Sequence, residues 1–188
     1  MLLKNLIKNL PEDKKKIIVK GISTNSKEIK NGYIFFAIKG HNSNGEKFIK
    51  QAIERGASAI VCSSDYKYKN KKVLIIKRKN IRNFISDVSS KFYKLKPKNI
   101  IAVTGTNGKT SVADLFYQIL SLNNISVASI GTLGIKYKNK ILKTNLTSPD
   151  TVSIHKYLQI IKKNKIDNVI IEASSHGLDQ NRLHHINF

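Results

Sequence analysis

Two short stretches hold the side chains most able to do chemistry. The first, Gly105-Thr106-Asn107-Gly108-Lys109-Thr110-Ser111, sets two glycines, a lysine and several hydroxyls between an apolar run and an amphipathic segment. Glycine there lets backbone N–H groups approach a phosphate with no Cβ in the way, and the positive end of a following helix favours the anion. Lys109 would reach the terminal phosphates and Thr110 would offer its hydroxyl to Mg²⁺. The usual phosphate-loop spacing has a further glycine where Val103 stands, so the match is a shorter variant. An ordinary strand-to-helix turn is the plain alternative, and the strand before and helix after weigh against it. The second stretch, residues 172–182, begins with Glu172 at the end of an apolar run. An acid there is costly without a cation, so a metal shared with Thr110 gives it a reason; a capping or salt-bridged acid is the competing one. His176 is open between a structural and a catalytic role.

These stretches need a scaffold that brings them together. Residues 100–103 read as a short buried strand, and Val112, Leu115, Phe116, Ile119 and Leu120 recur on one face of a helix. Residues 126–130 form the next strand, completing a parallel strand-helix-strand unit, and residues 133–137 and 141–144 a hairpin. Ser148 is expected to cap a helix that has Pro149 in its first turn and Ile154, Leu158 and Ile161 inward, before a third parallel strand at 168–171. Ligands of open parallel sheets lie beyond the carboxyl ends of the strands, so the phosphate loop and Glu172 should face each other. Upstream, the pattern predicts a short helix over 2–10 and a strand at 17–22. A polar loop and an Asn-Gly turn precede the apolar run 33–38, and a helix with Phe48, Ile49, Ala52 and Ile53 inward follows. Strands at 59–62 and 73–76 come next, then a helix capped by Asn80. Proline at 97 stops that helix. The fold class is α/β: a small N-terminal α/β domain, residues 1–96, then a partial phosphate-loop parallel-sheet domain, residues 97–188.

The 188 residues carry a net charge of +22, which invites a nucleic-acid hypothesis. Only four of the 34 basic residues are arginine, and the lysines spread along the whole chain without interleaved stacking aromatics or a nucleic-acid motif. They read as solvated faces with a general attraction to polyanions, not a specific nucleic-acid site. No apolar run approaches the ~18 residues of a membrane span, and the first ten residues are too charged for a signal-peptide core. The lone Cys62, in an apolar run, forms no internal disulfide, so a cytoplasmic protein is expected.

With both stretches in place, the chain resembles the Mur ligases of peptidoglycan synthesis, and among them the MurE type, the UDP-N-acetylmuramoyl-tripeptide synthetases. Ser23-Thr24-Asn25-Ser26, residues 31–41 and residues 45–57 look like that type's UDP-binding module. The resemblance implies ATP-dependent amide-bond formation. ATP phosphorylates the D-glutamate carboxylate of UDP-MurNAc-L-Ala-D-Glu, and the amine of a diamino acid, diaminopimelate or lysine, displaces the phosphate. Holding two polyanions together calls for Mg²⁺ and lysine, and the enzyme is expected to be a monomer. Carried over by position, Lys109 and Glu172 are catalytic, residues 105–111 hold ATP, and Thr110 and Glu172 hold the metal. Thr24, Ser26, His41, Asn42 and Ser43 line the uridine-diphosphate end of the substrate, and Thr147, Ser148, Ser174, Gln180 and Arg182 its muramoyl-peptide end.

Asn25 stands where the family commonly has aspartate, and Ser148 where it has threonine; both keep hydrogen-bonding capacity. The family's later D-H-x-x-x-H segment, carbamylated lysine and amino-acid-selecting domain have no counterpart in these 188 residues. An incomplete ligase whose central sheet exposes an edge is therefore expected. The competing assignments are a MurF-type ligase, a folylpolyglutamate synthase, and a basic polyanion-binding module with a vestigial nucleotide site.

Overall fold

Apolar runs that do not alternate belong to strands buried on both faces, and both sheets of the computed structural model have such strands at their centres. It describes residues 1–40, 44–67, 73–138, 140–144 and 147–188, which fall into two units, Met1–Phe92 and Tyr93–Phe188.

In the first unit, β1 (Gly21–Ser23), β2 (Tyr33–Phe36), β3 (Ala59–Ser63) and β4 (Leu74–Arg78) make an all-parallel sheet in the order β1-β2-β3-β4. The central strands are sealed: Ile34, Phe35, Phe36, Ala59, Ile60, Val61 and Cys62 are inaccessible to solvent. Helix α1 (Ile49–Glu54) packs Ile49 and Ala52 against Phe35, Ile60 and Cys62. Helix α2 (Ile81–Phe92) starts where Asn80 Oδ1 accepts from the Asn83 N–H at 2.9 Å, and it buries Ile81, Ile85 and Val88.

Three sequence expectations for this unit need correction. The helix expected over 2–10 is a single 3-10 turn, Leu3–Asn5, which still turns Leu3, Leu6 and Ile7 into the core. The strand expected at 17–22 begins at Gly21, while Ile18 makes an isolated bridge to Leu2. Phe48 ends a 3-10 turn ahead of α1 and is 43% exposed, because the tighter winding takes it off the buried face of α1.

In the second unit, the sheet order is β5-β9-β6-β7-β8, where β5 is Asn99–Val103, β6 Val127–Gly131, β7 Gly134–Tyr137, β8 Lys140–Leu142 and β9 Asn168–Glu172. Strands β5 and β6 do not touch. Each pairs in parallel with β9, which inserts between them, whereas β6-β7-β8 is antiparallel. The expected strand-helix-strand unit is therefore a crossover that skips one strand. Helix α4 (Thr151–Lys163) lays Ile154, Leu158 and Ile161 onto Ala128, Ile130, Val169 and Ile171. Helix α3 (Lys109–Leu122) packs beside β6 and β9, tied to β7 by Lys136 Nζ and Asp114 Oδ1 at 2.5 Å. Hydrogen bonding from Lys136 holds the Asp114 carboxyl below its usual range.

Here too the outcome differs in places. Strand β5 lies at the sheet margin, with Ile100 buried and Ile101 43% exposed, so it is not a fully buried strand. Of α3, Ala113 is the fully buried residue; Val112, Leu115 and Ile119 face outward. The cap of α4 is Asp150, whose Oδ1 accepts from the Val152 and Ser153 N–H groups at 3.0 and 3.1 Å. Ser148 is drawn away by stronger burial. The division between units falls after Phe92, ahead of Pro97, because the residues between belong to the second unit: the Leu95 N–H reaches Gln159 Oε1 at 3.5 Å and Lys96 Nζ lies 2.5 Å from His155 Nδ1.

Candidate active site

The site is set by strand register. Val103, the last residue of β5, is paired with Glu172, the last of β9, and the Ala173 N–H continues the ladder to the Val103 carbonyl at 2.8 Å. The chain then leaves β5 through Gly105 (φ +149°) and Gly108 (φ +81°) and enters α3 at Lys109. Gly108 is in the left-handed region, and a Cβ added there would meet nothing within 4 Å. Backbone conformation, not crowding, thus calls for glycine. Thr106, Asn107 and Ser111 are exposed around this turn. The Lys109 ammonium arches back over the loop, donating to the Gly105 carbonyl at 2.5 Å and the Thr106 carbonyl at 3.1 Å. A single cation is thereby held above a set of N–H groups at a helix start, an arrangement suited to phosphate.

Glu172 is 2% exposed, and its carboxylate gathers three donors. Oε2 accepts from the hydroxyls of Thr110 at 2.8 Å and Thr132 at 3.1 Å, and Oε1 accepts from the Thr132 N–H at 2.9 Å. The Thr132 and Thr147 hydroxyls lie 3.1 Å apart. Every one of these partners is neutral, so a buried negative charge sits among hydroxyl oxygens at the mouth of the phosphate loop. An all-oxygen donor set around a carboxylate fits a hard divalent cation such as Mg²⁺. Among the described residues no group of three or more His, Cys, Asp or Glu side chains could hold a metal alone. The cation would therefore need oxygens from a phosphate ligand, as is usual for Mg²⁺.

A second cluster shares the same strand end. The Ser148 hydroxyl, 1% exposed, donates to the Glu172 carbonyl at 2.8 Å and accepts from the Ser174 N–H at 3.0 Å. Ser174 caps the short helix α5 (Ser175–Asp179), accepting from the Gly177 N–H at 3.1 Å. Arg182 donates from Nη1 to the Ser148 carbonyl at 2.6 Å, and from Nη2 and Nε to Gln180 Oε1 at 2.8 and 3.2 Å. Ser148, Ser174, Gln180 and Arg182 thus form one connected group, with Thr147 linking it to Glu172 through Thr132. His176 is exposed on α5.

In the first unit, Ser26 is buried and its hydroxyl donates to Gln51 Oε1 at 2.6 Å, tying the loop after β1 to α1. Thr24 is half-buried beside it, and Asn25 caps the 3-10 turn through the Lys27 N–H at 3.0 Å. His41, Asn42 and Ser43 lie outside the described residues.

Thr132 is the residue that sequence reading missed. It follows β6 directly, and its signal was weak: a Gly-Thr pair at the end of an apolar run, with no motif around it.

Comparison with known proteins bears on this arrangement. Residues 18–93 match the model described as Mur ligase family, catalytic domain, and residues 103–188 the Mur ligase middle domain. A UDP-N-acetylmuramoyl-L-alanyl-D-glutamate–2,6-diaminopimelate ligase of Rickettsia conorii is 41% identical over 176 residues, 89% of this chain and 36% of the relative. A solved structure of a UDP-N-acetylmuramoyl-L-alanyl-D-glutamate–2,6-diaminopimelate ligase superposes on 97% of this chain and 38% of its own, with 26% identity and a TM-score of 0.79. A MurF ligase from Thermotoga maritima in complex with ADP shares the fold at a TM-score of 0.58 and 22% identity, over 90% of this chain and 35% of its own. The chain spans little more than a third of the length of these relatives. With both of its units matched in order, the chain belongs to the Mur ligase family, of which it carries the N-terminal and middle domains.

Proposed function

We propose that this chain forms the substrate- and ATP-binding portion of a cytoplasmic ligase that joins the amine of 2,6-diaminopimelate to the D-glutamate carboxyl of UDP-MurNAc-L-Ala-D-Glu. The observation that carries the reading is the buried Glu172 carboxylate, bonded to Thr110 and Thr132 where the phosphate loop opens. Names of relatives supply the substrate and the amine. When bound, ATP supplies the phosphoryl group that turns an unreactive carboxylate into an acylating agent, and Mg²⁺ offsets the charge of its phosphates.

The chain's own residues have separable tasks in this reading. The glycine turn and the start of α3 bind phosphate oxygens, and Lys109 leaves the loop carbonyls to pair with them. Thr110, Thr132 and Glu172 hold the metal. Ser148 and Ser174 fix the backbone after β9, so that Arg182, positioned by Gln180, presents a flat guanidinium to the muramoyl-peptide end. Thr147 belongs to the same wall. Thr24 and Ser26, with His41, Asn42 and Ser43, take the uridine end.

Glu172→Gln tests the reading, because it keeps shape and most hydrogen bonds while removing the charge. Calorimetry should show binding of Mg·ATP weakened by roughly tenfold or more, with metal-free ATP affected much less. Equal losses with and without Mg²⁺ would mark Glu172 as a structural acid.

A further inference from the structure

One pair of titratable groups, Lys96 and His155, has no part in the proposed reaction. Lys96 stands between α2 and β5, and its Nζ lies 2.5 Å from Nδ1 of His155, a residue of α4 with no access to solvent. An ammonium and an imidazolium at that distance would repel each other, so the two rings of charge exclude one another. Burial chiefly, and then the Lys96 charge, hold the imidazole neutral; hydrogen bonding to the His184 backbone opposes them, and the His185 charge adds to them. The neutral imidazole can then accept at Nδ1 from the lysine nitrogen.

Other lysines of this unit are placed differently. Lys136 is paired with Asp114 and Lys162 with Asp167, each at 2.5 Å, and a carboxylate so close keeps an ammonium charged. Asp167 is the acid that reaches the Lys96 segment, where it accepts from the Lys98 N–H at 3.1 Å, but Lys162 takes up its charge. Among the described residues, Lys96 has the imidazole as its polar partner and no carboxylate in ion-pair reach. Burial therefore acts unopposed and brings its ammonium down to about 8. At pH 7.5 that leaves about a quarter of the amine free, where an ordinary lysine has about one part in a thousand.

A free amine is a nucleophile, and Lys96 is half-buried, not sealed, so a small electrophile can reach it. The net charge of +22, with exposed Lys94 and Lys98 on either side, gathers anionic donors ahead of neutral ones. We propose that Lys96 is an acylation site of this chain, modified by small acyl phosphates. The Nζ lone pair attacks the carbonyl carbon, and the bond from that carbon to the phosphate oxygen breaks. Phosphate leaves with the electron pair, the surplus N–H proton passes to solvent, and an amide remains. No oxidation or reduction takes place, and His155 takes no proton.

The test incubates the whole chain with isotopically labelled acetyl phosphate between pH 7 and 9 and follows each lysine by peptide mass spectrometry, in the folded state and in concentrated urea. At pH 7.5 Lys96 should gain label about tenfold or more faster than Lys94 and Lys98, and urea should erase its lead. Its rate should pass its half-maximum near pH 8. Labelling of folded Lys96 no faster than that of its two neighbours overturns the proposal. So does a lead that survives in urea, because the lead would then come from the local sequence and not from the contact with α4.

Discussion

Gly131 shows how narrowly the site is built. It closes β6 directly beneath Glu172, and a Cβ there would lie 2.0 Å from Oε1 and 2.5 Å from Cδ of that carboxylate. An exposed glutamate would swing aside at little cost, but this one is 2% exposed and clamped by Thr110 and Thr132. Gly131→Ala should therefore destabilise the second unit by about 1–3 kcal/mol, as overpacking does. It should also weaken Mg·ATP binding, since the carboxylate must leave the two hydroxyls. Urea denaturation and calorimetry measure the two effects, and an unchanged midpoint would show that the carboxylate is less firmly held than its contacts imply.

At the scale of elements, α3 and α4 behave differently for one reason, the presence or absence of something to pack against. Helix α4 lays Ile154, Leu158 and Ile161 on its sheet, and His155 beside them is inaccessible too, packed against Lys96 and the backbone of His184. Burial, reinforced by the Lys96 charge, pushes the His155 imidazole down to about 3, and burial brings Lys96 down to about 8. Between pH 6.5 and 3 the unfolded chain thus binds a proton at His155 that the folded chain does not. Stability is present above 6.5 and is lost as pH falls through that window. The urea midpoint should decline from pH 6.5 to pH 5, before most carboxylates titrate, and His155→Leu should flatten that slope. Helix α3, by contrast, exposes Val112, Leu115, Ile119 and Leu122, the last at 82%, beside the half-covered Ile101 of the margin strand. An apolar face of this kind binds hydrophobic dyes and promotes association. Leu122→Lys should lower dye fluorescence and self-association while changing stability by no more than about half a kcal/mol.

For the whole molecule, reach matters more than any single contact. Relatives carry nearly two thirds of their length outside the matched region, and bringing an amine to an activated carboxyl in the right orientation provides much of the rate in such reactions. The 188-residue chain, incubated with ATP, Mg²⁺, UDP-MurNAc-L-Ala-D-Glu and either diaminopimelate or lysine, should bind the nucleotides yet form no tripeptide and release no phosphate above background. Product with either amine would show that these two units suffice for turnover.

The glycine turn between β5 and α3, the apolar face of α4 and the acid at the end of β9 were legible in sequence because each depends on neighbours within a few residues, through turn conformation, helical period or an interrupted apolar run. The family resemblance rested on the same local strings. Long-range pairing was not legible in this way. Nothing local says that β9 inserts between β5 and β6, so the register joining Val103 to Glu172 and the approach of Thr132 appear only once the sheet is assembled. Capping went to Asp150 because Ser148 found a buried partner in the Glu172 carbonyl, a contact made across 24 residues of chain. Helix α3 carries an apolar stripe that the pattern reads as core, yet burial depends on what lies opposite, and only the packed sheet reveals that this stripe faces outward. Periodicity names the face of an element; the surrounding fold determines whether that face is covered.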